Sequence, residues 1–137
     1  QMQDLSETFL VEEMVKDTVT EDLLGLQNDP HFGLSLTLGA GGIYTELLED
    51  TSVLLFPVSE DLIMESLEPL KFFKIIQGWR GKPKGDLGAL VKAVLDFALF
   101  AEHHHHKLVQ AEINPLAILP EGKGVKILDA LIEIKEN

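Results

Sequence analysis

The amino-acid sequence predicts an α+β domain with a largely antiparallel sheet flanked by helices. Strand-like and helix-like segments come in separate runs along the 137 residues, which favours α+β over alternating parallel units. Turn-forming residues stand between apolar stretches at positions 28–31 and 120–124, and such turns join antiparallel neighbours. Apolar residues recur at helical spacing across positions 87–99, which is typical of one amphipathic helix.

Extended segments dominate the first part of the chain. Apolar stretches bounded by turn residues are typical of strands. Pro57 indicates that the last of these strands lies at a sheet edge, because proline cannot donate to a neighbouring strand. The predicted strands are residues 9–15, 21–26, 32–38 and 51–58, with residues 44–48 in extended or mixed form.

Capping residues predict where the helices begin. Ser59 and Asp86 are polar side chains that can accept a hydrogen bond from the first helical turn. The predicted helices run from Ser59 to about Leu67, over residues 71–76, and from Asp86 through the amphipathic stretch. Two short strands at 108–113 and 116–119, interrupted at Asn114-Pro115, and a closing strand at 125–134 complete the prediction.

Composition excludes several function classes. Hydrophobic residues make up 45% of the chain, enough to build a single core. Twenty-three acidic residues against 11 basic ones give a net charge of −12, which makes nucleic acid and membrane surfaces poor partners. Magnesium-complexed nucleotide is compatible with this charge. The absence of cysteine excludes a disulfide framework, a thiolate zinc site and a cysteine nucleophile.

The sequence gives no indication of export or membrane insertion. The apolar runs fall far short of the roughly 20 residues that a membrane span needs. The first residues lack the basic start and apolar stretch of a signal peptide. The expected location is therefore the cytoplasm.

Polar side chains around the predicted final hairpin are the best candidates for a metal site. Glu112 and Asn114 lie two apart in a strand and point to the same face. The hairpin turn brings Asp129 on the next strand alongside Asn114. Oxygen ligands of this kind suit Mg²⁺, which completes its shell with water and phosphate oxygens. An ordinary polar hairpin edge is the alternative.

The hairpin sequence, EINPL at 112–116 followed by Asp129, resembles the metal-binding hairpin of the ATP-grasp domain in succinyl-CoA synthetase β chains and NDP-forming acyl-CoA synthetases. Three further motifs follow the order found in that family. Residues 29–33 are similar to its D-P-x-F-G turn, residues 39–46 match its G-x-G-G-I-x-x-E segment, and residues 78–83 stand where it has G-Y-R-G-x-P.

This resemblance implies that residues 1–137 are the C-terminal portion of an ATP-grasp domain, without its N-terminal half. The implied reaction of the whole enzyme converts acyl-CoA, NDP and phosphate into acid, CoA and NTP, and the isolated piece is expected to be inactive. The implied partners are the remainder of the synthetase chain or its CoA-binding subunit, which would supply the sites for acyl-CoA and acyl phosphate. No catalytic residue is assigned.

The resemblance also implies the cofactors and their contacts. Mg²⁺ would be held by Asn114 and Asp129, with Glu112 as a further candidate. Residues 10–15 resemble the hinge of the ATP-grasp domain, against which ATP (or ADP or GTP) would lie. The implied nucleotide-binding residues are Glu12, Glu13, Met14, Val15 and Glu21, and the implied phosphate-loop residues are Gly39, Gly41, Gly42 and Arg80.

Simpler interpretations stand beside these assignments. Glutamates such as Glu12, Glu13 and Glu21 are also typical of solvated strand positions. Glycine-rich turns form without any ligand. Arg80 belongs equally to a structural loop anchored by Trp79. The histidines at 103–106 are interpreted as a solvated helix end in preference to a zinc site.

Two departures from the family pattern keep other functions open. Leu54 and Asn28 occupy positions where the family often has arginine. The first alternative is the ATP-grasp-like portion of a protein acetyltransferase, and the second is a decayed, non-catalytic scaffold.

Overall fold

The computed structural model describes residues 8–42 and 49–136. The predicted extended segment at 44–48 lies outside the described residues. The strands are β1 (Thr20–Asp29), β2 (Gly33–Ala40), β3 (Thr51–Leu55), β4 (Leu108–Ile118), β5 (Val125–Ile127) and β6 (Ala130–Ile134). The helices are α1 (Glu60–Leu67), α2 (Lys71–Ile76) and α3 (Leu87–His104). None of the described helices is long and apolar enough to cross a membrane.

All the strand pairs in the described sheet are antiparallel. The strand order is β3-β2-β1-β4-β5. β6 follows β5 along the same edge of β4, since β1 occupies the other edge. The predicted α+β class with a largely antiparallel sheet is therefore confirmed.

Local sequence accounts for the first turn and for the helix starts. Asp29 accepts hydrogen bonds from the backbone N–H groups of His31 and Phe32, at 2.7 and 2.9 Å, which closes the turn between β1 and β2. Ser59 accepts from the N–H of the third residue of α1 at 3.2 Å. Asp86 accepts from the third residue of α3 at 3.1 Å. Both predicted caps are confirmed.

The helices cover one face of the sheet. Alternate residues of β1 and β2 are buried against them, including Leu24, Leu26, Leu36 and Leu38, each at most 1% exposed. The intervening residues point to the opposite face, which we call the open face because no helix of the described structure packs on it. Glu21 on β1 and Asn114 on β4 lie on this open face.

The predicted strand at residues 9–15 is wrong. Residues 8–19 form no strand, and the side chains of Phe9, Leu10 and Val11 are 84–90% exposed. A strand needs a neighbour to pair its N–H and C=O groups. No described strand pairs with these residues, so the apolar pattern remains without a sheet.

The end of the chain differs from the prediction in two ways. β4 continues through Asn114-Pro115 as one strand, with a bulge that places these two residues opposite Leu23 alone. Proline has no N–H to donate, and a bulge accommodates it without ending the strand. The closing strand at 125–134 is divided into β5 and β6 opposite the same bulge.

Candidate nucleotide and metal site

The backbone places Asn114 directly opposite Asp129. The N–H of Asn114 donates to the carbonyl oxygen of Asp129 at 3.1 Å. The adjacent pair, Ile113 and Ala130, is in register. Ile113 is buried on the helix side, so Asn114 and Asp129 project from the open face. Glu112 is exposed.

The glycine segment contacts the same asparagine. The N–H of Gly42 donates to the side-chain Oδ1 of Asn114 at 2.9 Å. The N–H of Gly41 donates to the carbonyl oxygen of Glu21 at 2.8 Å. These two bonds bring the glycine segment together with β1 and the middle of β4, and Gly42 and Asn114 are 72 positions apart in sequence. They form the candidate site on the open face.

Glycine is required for a different structural reason at each of the three positions of this segment. A Cβ on Gly41 would lie 2.4 Å from the carbonyl carbon and oxygen of Asp22, so no larger residue fits. Gly42 adopts φ +67°, a conformation that favours glycine. Gly39 lies inside β2, and a Cβ there would meet the Thr51 side chain at 2.5 Å. The close approach of neighbouring strands accounts for Gly39 without a ligand.

The predicted hinge residues reach the open face through one ion pair. The Glu13 carboxylate and the Lys126 ammonium are 2.5 Å apart. Lys126 is in register with Ala117 on β4, and Ala117 with Glu21 on β1. This row of residues crosses the open face from the hinge to the glycine segment. Glu12 and Met14 are exposed beside Glu13, and Val15 is half-buried.

Arg80 lies in the loop between α2 and α3. Its guanidinium lies over the Trp79 ring, 5.5 Å from the ring centroid. The loop that carries it is joined to the β4–β5 turn by a bridge between Gly85 and Pro120. Pro120 follows β4, three residues after Ala117, which pairs with Glu21 on β1. The structure thus brings together Asn114, Asp129, Glu21, Gly41 and Gly42. The loop that carries Arg80 lies beside this group, since Thr18, Val19 and Ile75 line both the cavity at Lys82 and the cavity at Glu21 and Gly41.

One buried acid next to the site was missed by the sequence reading. Asp22 is 1% exposed, and its Oδ1 has no hydrogen-bond partner among the described residues. Burial raises the pKa of Asp22 well above its ordinary value. The signal was available, because Asp22 continues the alternation of Leu24 and Leu26 on the helix side. An acidic residue at a core-facing position of an otherwise apolar strand indicates a buried carboxyl.

The donor set fits a magnesium ion. Asn114 and Asp129 offer neutral and anionic oxygens from opposing positions, and Mg²⁺ in nucleotide sites takes one or two such ligands plus phosphate oxygens and water. The Asn114 Oδ1 has a second lone pair beyond the one used by Gly42. The described residues contain no group of three or more acidic, histidine or cysteine side chains arranged for a metal.

The two departures from the family pattern have structural roles. Leu54 is 1% exposed and belongs to the core, on the helix side of β3. The Asn28 side chain donates to the carbonyl oxygens of His105 and Leu108, at 2.6 and 2.9 Å. Asn28 is seven residues along β1 from Glu21, on the order of 20 Å away. Neither position faces the candidate site.

The histidines at the end of α3 resemble a solvated helix terminus. All four are exposed, and the His105 ring nitrogen Nδ1 lies 2.8 Å from the carbonyl oxygen of Glu102. Phe100 packs beside His104 at 4.8 Å between ring centroids. These local contacts fit the predicted helix end.

Comparison with known proteins relates this arrangement to a family. The ATP-grasp domain profile matches residues 1–134. An ADP-forming acetate–CoA ligase of Methanocaldococcus jannaschii is 32% identical over 126 residues, which are 92% of this chain and 18% of the relative. The β subunit of ADP-forming acetate–CoA ligase II from Pyrococcus furiosus is 28% identical, over 84% of this chain and 49% of the relative.

Solved structures share the fold. A protein from Pyrococcus horikoshii superposes with a TM-score of 0.83 and 27% identity, over 90% of this chain and 52% of that chain. A second structure is the dinucleotide forming acetyl-coenzyme A synthetase 1 of Ca. Korarchaeum cryptofilum, in complex with coenzyme A and Mg-AMPPCP. It superposes with a TM-score of 0.76 and 29% identity, over 85% of this chain and 53% of that chain. The chain belongs to the ATP-grasp family and is homologous to part of the ADP-forming acyl-CoA synthetases.

Proposed function

We propose that this chain is the magnesium- and nucleotide-binding portion of an NDP-forming acyl-CoA synthetase. The observation that carries the proposal is the joint placement of Asn114, Asp129 and the Gly41–Gly42 backbone on the open face. The homology to ADP-forming ligases supports the reaction class. The proposed overall reaction is acyl-CoA plus NDP plus phosphate giving acid, CoA and NTP.

In this proposal the chain's own groups orient the phosphates. Asn114 and Asp129 would hold Mg²⁺, which supplies charge neutralisation to the transferring phosphoryl group. The Gly42 N–H fixes the Asn114 amide so that its oxygen faces the site. Glu21, on the neighbouring strand, bounds the site on the other side through its contact with the glycine segment. Preorganised dipoles of this kind act without reorganisation during transfer.

The hinge would hold the base of the nucleotide. Residues 12–15 pass beside β5, where Glu13 is paired with Lys126. The Glu13 side chain is therefore occupied by a structural contact, which leaves the backbone groups of the hinge as the proposed contacts to the base. ATP, ADP and GTP all fit this assignment equally.

The remaining parts of the reaction require polypeptide outside these residues. The chain covers 18% and 49% of the first two relatives. We propose that other modules, on the same chain or on a CoA-binding subunit, supply the sites for acyl-CoA and acyl phosphate. The cytoplasm remains the predicted location.

Magnesium-dependent nucleotide binding by the full-length protein tests the proposal. Calorimetric titration with ADP and ATP should show saturable binding that chelation of Mg²⁺ weakens. Absence of nucleotide binding in the full-length protein would favour the decayed scaffold. Binding without acyl-CoA synthesis, combined with acetyl transfer to protein lysines, would favour the acetyltransferase alternative.

A further inference from the structure

Positive charge is concentrated in one short stretch of this acidic chain. Residues 69–85, which we call the basic segment, contain five of the 11 basic residues and no acidic residue. The rest of the chain carries all 23 acidic residues. The basic segment comprises α2 and the loop that follows it. Its cations are Lys71, Lys74, Arg80, Lys82 and Lys84.

None of the five cations forms an ion pair within the described structure. All five side chains are exposed. The ion pairs of the described residues are Lys92–Asp96 and Lys126–Glu13, both elsewhere. A protein this acidic has many carboxylates available to pair with surface lysines. The basic segment therefore exposes cations that have no ion-pair partner among the described residues, with Asp17 and Glu121 as acidic neighbours in the adjoining cavities.

The loop that presents this surface is held by its own backbone. The N–H of Lys82 donates to the Trp79 carbonyl at 3.1 Å, and the N–H of Gly85 to the Ile76 carbonyl at 2.8 Å. Arg80 adopts φ +52°, which is uncommon for a residue other than glycine. Such a conformation persists where the surroundings fix it, and it is frequent at functional sites. The loop is therefore preorganised.

Trp79 and Arg80 form the most exposed aromatic–cation pair of the basic segment. Trp79 is 50% exposed, and the Arg80 guanidinium lies 5.5 Å from its ring centroid. Tryptophan and arginine are the residues most enriched where protein partners bind tightly, because they combine large apolar area with hydrogen-bonding groups. In sequence, Arg80 is the third of the five cations of the basic segment.

A cavity of about 410 Å³ adjoins the loop. Ile75, Val19, Pro83 and Pro120 give it apolar walls, and Lys82 stands at its edge together with Asp17 and Thr18. This volume accommodates one apolar side chain of a partner. The cavity lies beside the basic loop. Thr18, Val19 and Ile75 also line a neighbouring cavity that includes Glu21 and Gly41 of the candidate site.

The arrangement discriminates among anionic ligands. A small anion is held by converging donors, whereas these five cations are spread over a helix and a loop, all of them exposed. A nucleic acid or an anionic membrane extends beyond the basic segment and meets the acidic remainder of the chain. An acidic polypeptide segment can follow the cations and place one apolar side chain in the cavity.

We propose that the basic segment docks an acidic polypeptide segment with an apolar anchor residue, carried by a synthetase module outside these 137 residues. Only the source of the partner rests on the proposed function. The chemistry of the surface stands on Trp79, Arg80, Lys82 and the adjoining cavity. Charge complementarity steers the encounter, and the apolar anchor adds specificity.

Fluorescence of Trp79 tests this docking, because the chain has no other tryptophan. The probe is a short synthetic peptide of glutamates around one leucine, titrated without Mg²⁺ or nucleotide. Binding should change the Trp79 emission and should weaken with salt. Replacement of the leucine by serine in the peptide should weaken binding at least about tenfold.

Variants locate the binding surface. Arg80→Gly and Lys82→Glu should each weaken peptide binding about tenfold or more. Arg80→Gly suits the positive φ and so keeps the fold. Lys107→Glu is the matched control, since Lys107 is exposed and lies outside the basic segment. The affinity of the Lys107→Glu variant for the peptide should stay within about twofold of the wild-type affinity.

Three results would overturn the docking proposal. Equal losses in Lys107→Glu and Lys82→Glu would mean diffuse attraction to the whole protein. Tighter binding of duplex DNA or of phosphatidylserine vesicles than of the peptide would assign the surface to those partners. An unchanged Trp79 emission with the peptide would mean that the surface does not bind it. None of these outcomes bears on magnesium–nucleotide binding at Asn114.

Discussion

Gly42 and Asn114 are joined by a 2.9 Å hydrogen bond from the glycine N–H to the side-chain oxygen, across 72 positions of sequence. The bond ties the end of β2 to the bulge in β4, with β1 between them. It therefore fixes both the glycine segment and the orientation of the amide.

Substitution of Gly41 by alanine should destabilise the fold and distort the site. The new Cβ would lie 2.4 Å from the Asp22 carbonyl, so the two backbones must separate. The expected loss in the free energy of unfolding is about 1–3 kcal/mol, measured by urea denaturation. Gly88→Ala is the control, because Gly88 lies in the first turn of α3 and an added Cβ would make only an ordinary contact with Asp86 Oδ1 at 3.9 Å. It should stabilise by up to about 1 kcal/mol. Equal stability of Gly41→Ala and wild type would show that the segment is not tightly packed.

Asp22 should destabilise the folded protein at neutral pH. Burial raises its folded-state pKa above the unfolded value, so the folded state binds the proton more tightly. The contribution of Asp22 to stability should be greatest below the ordinary carboxyl pKa and should fall as the pH rises through the raised pKa. Asp22→Leu should remove this dependence and stabilise by about 1–3 kcal/mol at neutral pH, since the buried Oδ1 has no partner among residues 8–42 and 49–136. Unfolding in urea across a pH series measures both effects.

Glu65→Gln is the control for Asp22→Leu, because Glu65 is exposed on α1. Its stability profile against pH should match that of the wild-type protein. A destabilised Asp22→Leu variant would show that Asp22 has a stabilising partner in solution.

Asp86 should act in the opposite direction. Hydrogen bonds from the N–H groups of Ala89 and Gly124, and a further one from Gly122, lower the pKa of the Asp86 carboxyl. Its stabilising contribution is present above the ordinary carboxyl pKa and is lost as the pH falls through the lowered pKa. Asp86→Ala should cost about 0.5–2 kcal/mol, as at other helix caps, and thermal unfolding at neutral pH measures this loss. An equal loss for the exposed Asp61→Ala would rule out the specific role.

The 137-residue chain alone should bind Mg-ATP with a dissociation constant weaker than about 1 μM, equivalent to roughly 8 kcal/mol. The chain covers 49% of the related β subunit, and the family resemblance implies that further nucleotide contacts come from the rest of that domain. Calorimetry of the isolated chain is the measurement. Tighter binding would show that these residues suffice for the nucleotide.

Sequence patterns predicted the elements that depend on local chemistry. The caps at Ser59 and Asp86 and the turn at Asp29 form as expected, because each is decided by hydrogen bonds within a few residues. The strand at 9–15 was predicted wrongly because strand formation depends on a distant neighbour, which an apolar pattern does not report. The bulge at Asn114-Pro115 depends on pairing with β1.

The candidate site was predictable to a similar extent. The positions of Asn114 and Asp129 follow from hairpin spacing, and the structure places them opposite each other. The Gly42–Asn114 bond connects residues far apart in sequence and follows only from the sheet order. The Glu13–Lys126 pair has the same origin. No local sequence pattern predicts that these partners contact each other.

The turnover of full-length Asn114→Ala and Asp129→Ala variants tests the central claim most directly. If both side chains hold the metal on the nucleotide, each substitution should cost about 2.7–4 kcal/mol of transition-state stabilisation, on the order of a hundredfold or more in turnover. Glu133→Ala is the control, because Glu133 lies on β6 and bonds to Gln110, and it should retain nearly full activity. Wild-type turnover in Asp129→Ala, or an equal loss in Glu133→Ala, would contradict the assignment.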